Sequence, residues 1–130
     1  MFPESHQDLL SDEKRAIGYL ATMMPDGSPQ LTPVWFSYAN DQIRINTKRG
    51  RVKEKNMSAR PRVALLIQAP NETLRFIQVR GVATNATEDG AVEHIERLSQ
   101  KYDGKPFRSL LPDEVRVMFT IEASSISTNE

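Results

Sequence analysis

Short segments of apolar or alternating residues, set apart by turn signals, constrain the fold of this chain more than any other feature. Residues 17–24 form an apolar run that closes at Pro25-Asp26-Gly27-Ser28, a hairpin signal because Asp-Gly tolerates the positive φ of a tight turn. On similar grounds the sequence predicts six strands, at residues 17–24, 30–38, 42–47, 63–68, 76–87 and 115–122. Strands joined mostly by hairpins predict a mainly β fold with inserted helices, a six-stranded antiparallel barrel.

Helical segments interrupt these strands. Residues 6–15 have the pattern of a short amphipathic helix, and residues 51–59 that of a helix stopped before a proline. The clearest helix covers residues 88–102, where apolar and charged residues fall on opposite faces. Its predicted apolar face consists of Val92, Ile95, Leu98 and Tyr102, whereas Glu93, His94, Glu96, Arg97 and Lys101 are predicted to face water.

Three details of the strands bear on the shape of the barrel. Residues 63–68 are almost continuously apolar, which predicts a strand buried on both faces. Gly81 lies inside the strand predicted at residues 76–87 and indicates a bulge or sharp bend. Residues 124–130 are predicted to form a fraying tail.

Composition limits the classes of function. A length of 130 residues is that of about one domain, so residues 1–130 are predicted to form a single domain. The 17 Lys and Arg residues balance 17 Asp and Glu residues, which gives no electrostatic case for binding nucleic acid or an anionic membrane. The sequence has no Cys, no signal-peptide pattern and no apolar run of about 20 residues. It therefore predicts a cytoplasmic protein that binds neither nucleic acid nor a membrane.

The best local site for an anion is the basic segment at residues 46–53. Asn46 and Thr47 end a strand, and after a turn the chain enters a helix whose first N–H groups are free. Arg51 and Lys53 flank that helix start, so the segment has the donors that hold a phosphate group. Basic segments are more often solvated loops, and the residue chemistry leaves both interpretations open.

A second candidate site is the segment at residues 30–36, which contains a proline inside a predicted strand. Pro33 cannot donate to a β ladder, so it predicts an edge or a bulge where main-chain groups are free to bond a planar heterocycle. Trp35, the single Trp of the chain, is placed to line such a cavity. The alternative is that Trp35 and Phe36 belong to the barrel core.

The two histidines give no sign of catalysis or metal binding. His6 precedes the first strand in a segment predicted to be mobile, and His94 lies beside Glu93 on the polar face of its helix. Neither stands at a metal-ligand spacing from another His or a carboxylate, and no nucleophile motif accompanies them. The sequence therefore predicts no catalytic side chain and no metal site.

Short motifs in a fixed order run from about residue 17 to residue 121. They are Tyr19-Leu20-Ala21-Thr22, Asp26-Gly27-Ser28-Pro29-Gln30, Thr32-Pro33-Val34-Trp35-Phe36, Asn46-Thr47, Gly50-Arg51-Val52-Lys53-Glu54-Lys55-Asn56, Pro61-Arg62-Val63 and Val79-Arg80-Gly81-Val82-Ala83. With these motifs the chain resembles the pyridoxamine 5'-phosphate oxidase-like superfamily, and within it the small oxidoreductases that depend on the deazaflavin coenzyme F420. The resemblance implies a split β-barrel of the FMN-binding type that forms a homodimer, with two cofactor sites at the subunit interface.

The resemblance also implies which residues contact the cofactor. The residues matching the strand along the flavin ring are Gln30, Thr32, Pro33, Val34 and Trp35. The residues matching the phosphate site are Asn46, Thr47, Arg51 and Lys53, with Asn56 as a support for this loop. Phe76 of the partner subunit matches a segment that reaches the flavin across the interface.

Together these features predict an oxidoreductase that transfers a hydride between coenzyme F420 or FMN and a small organic substrate. One alternative is a flavin-binding carrier or sensor without turnover. Another is a nucleic-acid binder that uses residues 48–55, against which the zero net charge argues. The tail at residues 124–130 lacks the Arg and His residues of the substrate segment in vitamin B6 oxidases, so pyridoxamine phosphate is not the predicted substrate.

Overall fold

An antiparallel β-sheet of seven strands dominates the computed structural model, which describes residues 1–129. The strands are β1 (Ile17–Met23), β2 (Pro29–Val34), β3 (Phe36–Ala39), β4 (Gln42–Lys48), β5 (Arg62–Ala69), β6 (Glu72–Thr87) and β7 (Arg116–Thr128). A 3-10 helix (Glu4–Leu10) precedes β1, helix α1 (Val52–Ala59) follows β4, and helix α2 (Ala91–Asp103) follows β6. The mainly β fold with inserted helices is confirmed, with seven strands instead of six.

The additional strand comes from a break at Trp35. The strand order is β2-β1-β5-β6-β7-β4-β3, so the two edge strands are consecutive in the chain and only Trp35 separates them. The prediction of one strand at residues 30–38 is therefore wrong. Helix α2 holds the break, because Lys101 Nζ donates to the Phe36 carbonyl at 2.9 Å and the Tyr102 hydroxyl accepts from the Phe36 N–H at 3.5 Å. The sheet thus curls until both of its edges meet at one residue.

The core fills the inner face of this curled sheet. Buried apolar side chains alternate along the strands with more exposed ones. The buried ones include Leu20, Phe36, Ile43, Ile45, Leu65, Ile77 and Phe119. In β5, Val63, Leu65 and Ile67 are buried, whereas Ala64 and Leu66 are only half-buried. The prediction that this strand is buried on both faces is wrong for the single subunit, since a curled sheet closes on one face only.

The long strands β6 and β7 pair with a bend at Gly81. The register shifts between Arg80 and Gly81, and a Cβ at Gly81 would overlap the carbonyl oxygen of Glu122, which confirms the predicted bulge. The fraying tail is wrong for residues 124–128, because β7 continues to Thr128, which pairs with Ile77. Residues 124–128 are Ser and Thr apart from Ile126, so this segment lacks the apolar alternation from which a strand is predicted. The last predicted tail residue, 130, lies outside the described residues.

The N-terminal helix and His6 also differ from expectation. The helix is of the 3-10 type and ends at Leu10, so it is shorter than residues 6–15. His6 is buried, with its ring nitrogens 2.8 Å from Ser5 Oγ and 3.1 Å from Asn129 Oδ1. Its placement in a mobile segment is wrong, because the chain ends are joined through this contact.

Helix α2 buries a more polar face than predicted. Its buried residues are Ala91, His94, Ile95, Leu98, Ser99 and Lys101. Val92 is 48% exposed and Glu96 is half-buried, so the predicted apolar stripe is shifted. The shift arises because the sheet offers hydrogen-bond partners to His94 and Lys101, which lets these side chains be buried. No helix among residues 1–129 has the length and apolar character needed to cross a membrane.

Candidate functional site

A cavity of about 340 Å³ opens beside the break between β2 and β3. The sequence-predicted residues that line it are Pro33, Val34, Trp35, Asn46, Arg51 and Lys53. Its other walls come from residues that sequence analysis did not select, namely Ile17, Ile95, Phe107, Arg108 and Arg116. The two candidate segments, 30–36 and 46–53, therefore meet at one site. These residues lie at the starts of β1 and β7, on α2 and in the loop before β7, and no local sequence signal reveals that they approach one another.

One wall of the cavity carries two cations without a carboxylate partner. Arg51 directly precedes α1 and Lys53 lies in its first turn. Within the described chain neither side chain forms an ion pair, although Arg49 of the same segment binds both Glu54 and Glu88. Burial, together with the charge of Arg51, lowers the pKa of Lys53. This wall therefore carries uncompensated positive charge, with Lys53 half-buried and Arg51 exposed.

The start of α1 is fixed by Glu54. Its carboxylate accepts from the Gly50 N–H at 2.8 Å, in the manner of a helix-capping glutamate. Gly50 has a φ of +98°, a conformation that favours glycine. The turn that separates β4 from α1 is thereby defined, and it aims Arg51 and Lys53 at the cavity.

A second wall of the cavity carries two paired cations. Glu114, whose side chain is 1% exposed, contacts Arg108 at 2.7 Å and Arg116 at 2.8 Å. These hydrogen bonds, that of Arg108 foremost, hold the pKa of Glu114 well below its usual range. The Phe107 ring lies 4.8 Å from the Arg108 guanidinium and 5.3 Å from that of Arg116. Glu114 therefore locks this wall while lowering its net charge.

An aromatic stack forms the wall near the strand break. The Trp35 and Tyr102 rings lie 5.3 Å apart with an angle of 9° between their planes. The Tyr102 hydroxyl donates to the Ala16 carbonyl at 2.8 Å, and burial raises the pKa of Tyr102 to about 12. Trp35 therefore lines the cavity, whereas Phe36 is fully buried in the core. The cavity interpretation of this segment is therefore right for Trp35, and the core interpretation is right for Phe36.

A polar network underlies the cavity. Asn46 Nδ2 donates to the Ala91 carbonyl at 2.8 Å and to His94 Nδ1 at 3.1 Å, and Asn46 Oδ1 accepts from Arg116 Nε at 3.0 Å. His94 Nε2 lies 2.8 Å from Ser37 Oγ. The prediction that His94 faces water is wrong, because it is 5% exposed and contacts a cavity residue.

Five sequence-predicted site residues do not line this cavity, namely Gln30, Thr32, Thr47, Asn56 and Phe76. Gln30 and Asn56 meet at Thr22, whose hydroxyl donates to Gln30 Oε1 and accepts from Asn56 Nδ2, each at 3.0 Å. In β6 the half-buried Phe76 donates its N–H to Asn129 Oδ1 at 2.8 Å.

Two of these residues carry buried hydroxyls without a partner. Thr32 Oγ1 and Thr47 Oγ1 are the buried side-chain oxygens or nitrogens of residues 1–129 that form no hydrogen bond. A buried unpaired hydroxyl is costly and calls for an explanation such as a bound group. The two unpaired cations and the aromatic wall likewise have the chemistry to hold a phosphate and a planar ring. The residues present therefore fit a flavin-type cofactor.

Solved structures share this fold over nearly its whole length. A structure described as an F420 reductase is 29% identical, with a TM-score of 0.85 over 97% of this chain and 98% of that one. A conserved hypothetical protein from Mycobacterium tuberculosis is 25% identical, with a TM-score of 0.73 over 98% of this chain and 84% of that one. General Stress Protein 26 from Bacillus anthracis is 18% identical, with a TM-score of 0.67 over 94% of this chain and 92% of that one, and it shows the fold alone.

The sequence itself is similar to one family along almost its entire length. A sequence model of pyridoxamine 5'-phosphate oxidase matches residues 2–127, which include every strand of the sheet but the last residue of β7. The match also spans both walls of the cavity. The chain therefore belongs to the pyridoxamine 5'-phosphate oxidase family.

Proposed function

We propose that this chain is an oxidoreductase that binds FMN or coenzyme F420 in the cavity and transfers a hydride between that cofactor and a small organic substrate. The observation that carries the proposal is the pair Arg51 and Lys53, which line a cavity without a carboxylate partner within residues 1–129. The likeness to an F420 reductase over 97% of this chain and 98% of that one adds support.

In this proposal the wall at α1 binds the cofactor phosphate. Arg51 and Lys53 donate charge-assisted hydrogen bonds, and the first N–H groups of α1 face the same anion. Each charged contact contributes about 1.5–3 kcal/mol. The Thr47 hydroxyl supplies a further donor, whereas both Nδ2 protons of Asn46 are already donated to the Ala91 carbonyl and His94 Nδ1, so Asn46 acts by holding Arg116. Asn56 supports β1 beneath the loop through Thr22.

The wall at the strand break orients the ring. Pro33, Val34 and Trp35 present apolar surface and main-chain groups at the end of β2, and Gln30 and Thr32 extend the same edge strand. The Tyr102 stack keeps the indole from rotating into the cavity. When bound, the cofactor ring supplies the hydride chemistry, and these side chains exclude water from it.

We further propose that the protein is a homodimer with two cofactor sites at its interface. The outer face of the sheet carries a groove of about 580 Å³, lined by apolar residues that include Ala21, Ala64 and Val82 and by Arg62 and Arg80. Leu74, close to the half-buried Phe76, is 79% exposed near the tip of the β5–β6 hairpin. Exposed apolar surface of this kind favours a partner subunit, and Phe76 of the partner subunit would close the cavity. Sedimentation should give one species of twice the 14.7 kDa chain mass, whereas a monomer would contradict this part.

The test of the function begins with the absorbance spectrum of the purified protein, followed by titration with FMN and with coenzyme F420. Saturable binding of either cofactor is expected. The reduced complex is then mixed with candidate organic acceptors, and faster reoxidation is expected with at least one of them. Binding without acceptor-dependent reoxidation would favour a carrier or sensor, and no binding of either cofactor would contradict the proposal.

A further inference from the structure

We propose that His94 is a positioning residue: as the neutral Nε2–H imidazole it accepts the second Nδ2 proton of Asn46, and it thereby restrains this amide and the Arg116 guanidinium at the cavity. His94 itself does not line the cavity, so it acts through these two residues. The importance of this orientation for cofactor binding rests on the proposed function, whereas the orientation itself is a property of the free protein.

The hydrogen bonds of Asn46 define the tautomer of His94. Asn46 Nδ2 faces the Ala91 carbonyl, an obligate acceptor, at 2.8 Å, and Asn46 Oδ1 faces Arg116 Nε, an obligate donor, at 3.0 Å. The amide therefore has one orientation. Its Nδ2 also approaches His94 Nδ1 at 3.1 Å, so Nδ1 must accept and Nε2 must carry the proton. Nε2 then donates to Ser37 Oγ at 2.8 Å.

Charges on the surrounding elements keep this imidazole neutral. Arg44 on β4, Arg97 on α2 and Arg116 on β7 face His94, and the partner that β3 supplies is the uncharged Ser37. Burial first, and then these three cations, lower the pKa of His94 to about 4. A protonated ring would set a donor at Nδ1 against the Asn46 donor, and the amide would lose this restraint.

The consequence for the cavity concerns Arg116. Its Nε donates to Asn46 and its Nη1 donates to Glu114 Oε2 at 2.8 Å, so two different groups hold the guanidinium plane. Arg116 also lines the cavity. Through Asn46, His94 therefore helps to hold the direction in which this cation presents its remaining donors to a ligand.

Two substitutions separate positioning from packing. In His94→Asn the side-chain oxygen lies near the position of Nδ1, so the acceptor for Asn46 is kept. In His94→Gln the longer side chain places its amide near the position of Nε2, so the contact with Ser37 is kept and the acceptor for Asn46 is lost. Both variants replace an imidazole by a neutral amide, and a packing role would rank them by the volume they lose.

The first measurement is a ¹⁵N NMR spectrum of the free wild-type protein at pH 7. We expect the Nε2–H tautomer for His94, and the Nδ1–H tautomer would overturn the inference whether or not a cofactor binds. In the same spectra the Asn46 side-chain amide and the Arg116 Nε–H should keep their positions in His94→Asn and shift in His94→Gln. Equal shifts in both variants would also overturn it.

The second measurement is FMN affinity, or that of coenzyme F420 if it is the cofactor that binds. His94→Gln should weaken binding by about two- to tenfold, the effect of one misplaced hydrogen bond, whereas His94→Asn should remain within about twofold of wild type. Equal losses would contradict the positioning role. If wild type binds neither cofactor, the proposed function fails, and the tautomer and amide spectra decide the inference alone.

Discussion

The two walls of the cavity use the same residue types for different ends. At the start of α1, Arg51 and Lys53 have no carboxylate partner within residues 1–129. At the start of β7, Arg108 and Arg116 share the carboxylate of Glu114, and Arg116 also binds Asn46. The comparison teaches that the number of cations at a site is a poor guide to binding. The unpaired wall is the one free to neutralise a ligand, whereas the charge of the paired wall is largely balanced within the protein by Glu114 and its cations can offer only their remaining N–H groups.

The largest effect is expected when the paired wall loses its anion. Glu114→Ala should lower the free energy of unfolding by about 3 kcal/mol, the low end for a buried ion pair that loses one partner, because Arg108 is partly exposed. Asp113→Ala, at the exposed neighbouring position, is the matched control and should be close to neutral. Urea denaturation at pH 7 measures both. A decrease of less than about 1 kcal/mol in the free energy of unfolding of Glu114→Ala would contradict the structural role of this wall.

Acid should weaken the network behind the paired wall. The pKa of His94 is about 4 in the folded protein against an ordinary value of 6.5, so between these values the unfolded chain binds the proton and the folded protein does not. Stability is thus lost as the pH falls from 6.5 to 4, by about 3 kcal/mol from this group. Urea denaturation at pH 7 and pH 4 should show this extra loss in wild type relative to His94→Asn. Parallel losses in both proteins would contradict the buried neutral imidazole.

Alkaline pH should weaken the unpaired wall instead. The pKa of Lys53 is lowered by burial and by Arg51, so this side chain loses its charge at a lower pH than an ordinary lysine. Cofactor affinity should therefore fall by up to about tenfold as the pH rises from 8 to 10, within the contribution of one charged hydrogen bond. Lys53→Arg keeps its charge throughout and should flatten this profile. The same slope in both proteins would assign the titration to another group.

A smaller effect is expected at the unpaired hydroxyl of Thr47. Thr47→Val removes an oxygen that has no partner in the free protein, so the free energy of unfolding should stay level or rise by about 1 kcal/mol. Because Thr47→Val also removes the proposed hydrogen bond to the cofactor, we expect cofactor affinity to fall about two- to tenfold. An unchanged cofactor affinity in Thr47→Val would contradict the proposed role of Thr47 in cofactor binding.

The strands and the basic segment were predictable because their signals are local. Turn residues such as Gly27 and Gly50 mark where strands end, and both have positive φ in the structure. The alternation of residues 42–47 and 115–122 likewise identified β4 and the first half of β7. The segment 46–53 contains its own turn and helix start, so its geometry depends little on the rest of the chain.

The features that the sequence did not predict depend on contacts between residues that are distant in sequence. The break at Trp35 requires Lys101 and Tyr102 from α2, which are more than 60 residues away in sequence. The burial of His94 requires Asn46 and Ser37, and a helical wheel that ranks residues by hydrophobicity places a histidine outside. In the paired wall, Arg108 and Glu114 lie in a loop without periodicity. Sequence patterns report which residues prefer burial, and they do not report which polar residues will find partners.

The central claim is that the unpaired wall binds the cofactor phosphate, and one titration tests it most directly. Lys53→Ala and Lys55→Ala remove the same side chain from the same helix, but Lys55 is exposed and does not line the cavity. With whichever of FMN and coenzyme F420 binds wild type, Lys53→Ala should weaken binding about ten- to a hundredfold, the loss of one charge-assisted contact. Lys55→Ala should stay within about twofold of wild type, and both variants should unfold at the same urea concentration as wild type. Equal affinities for the two variants would contradict the account.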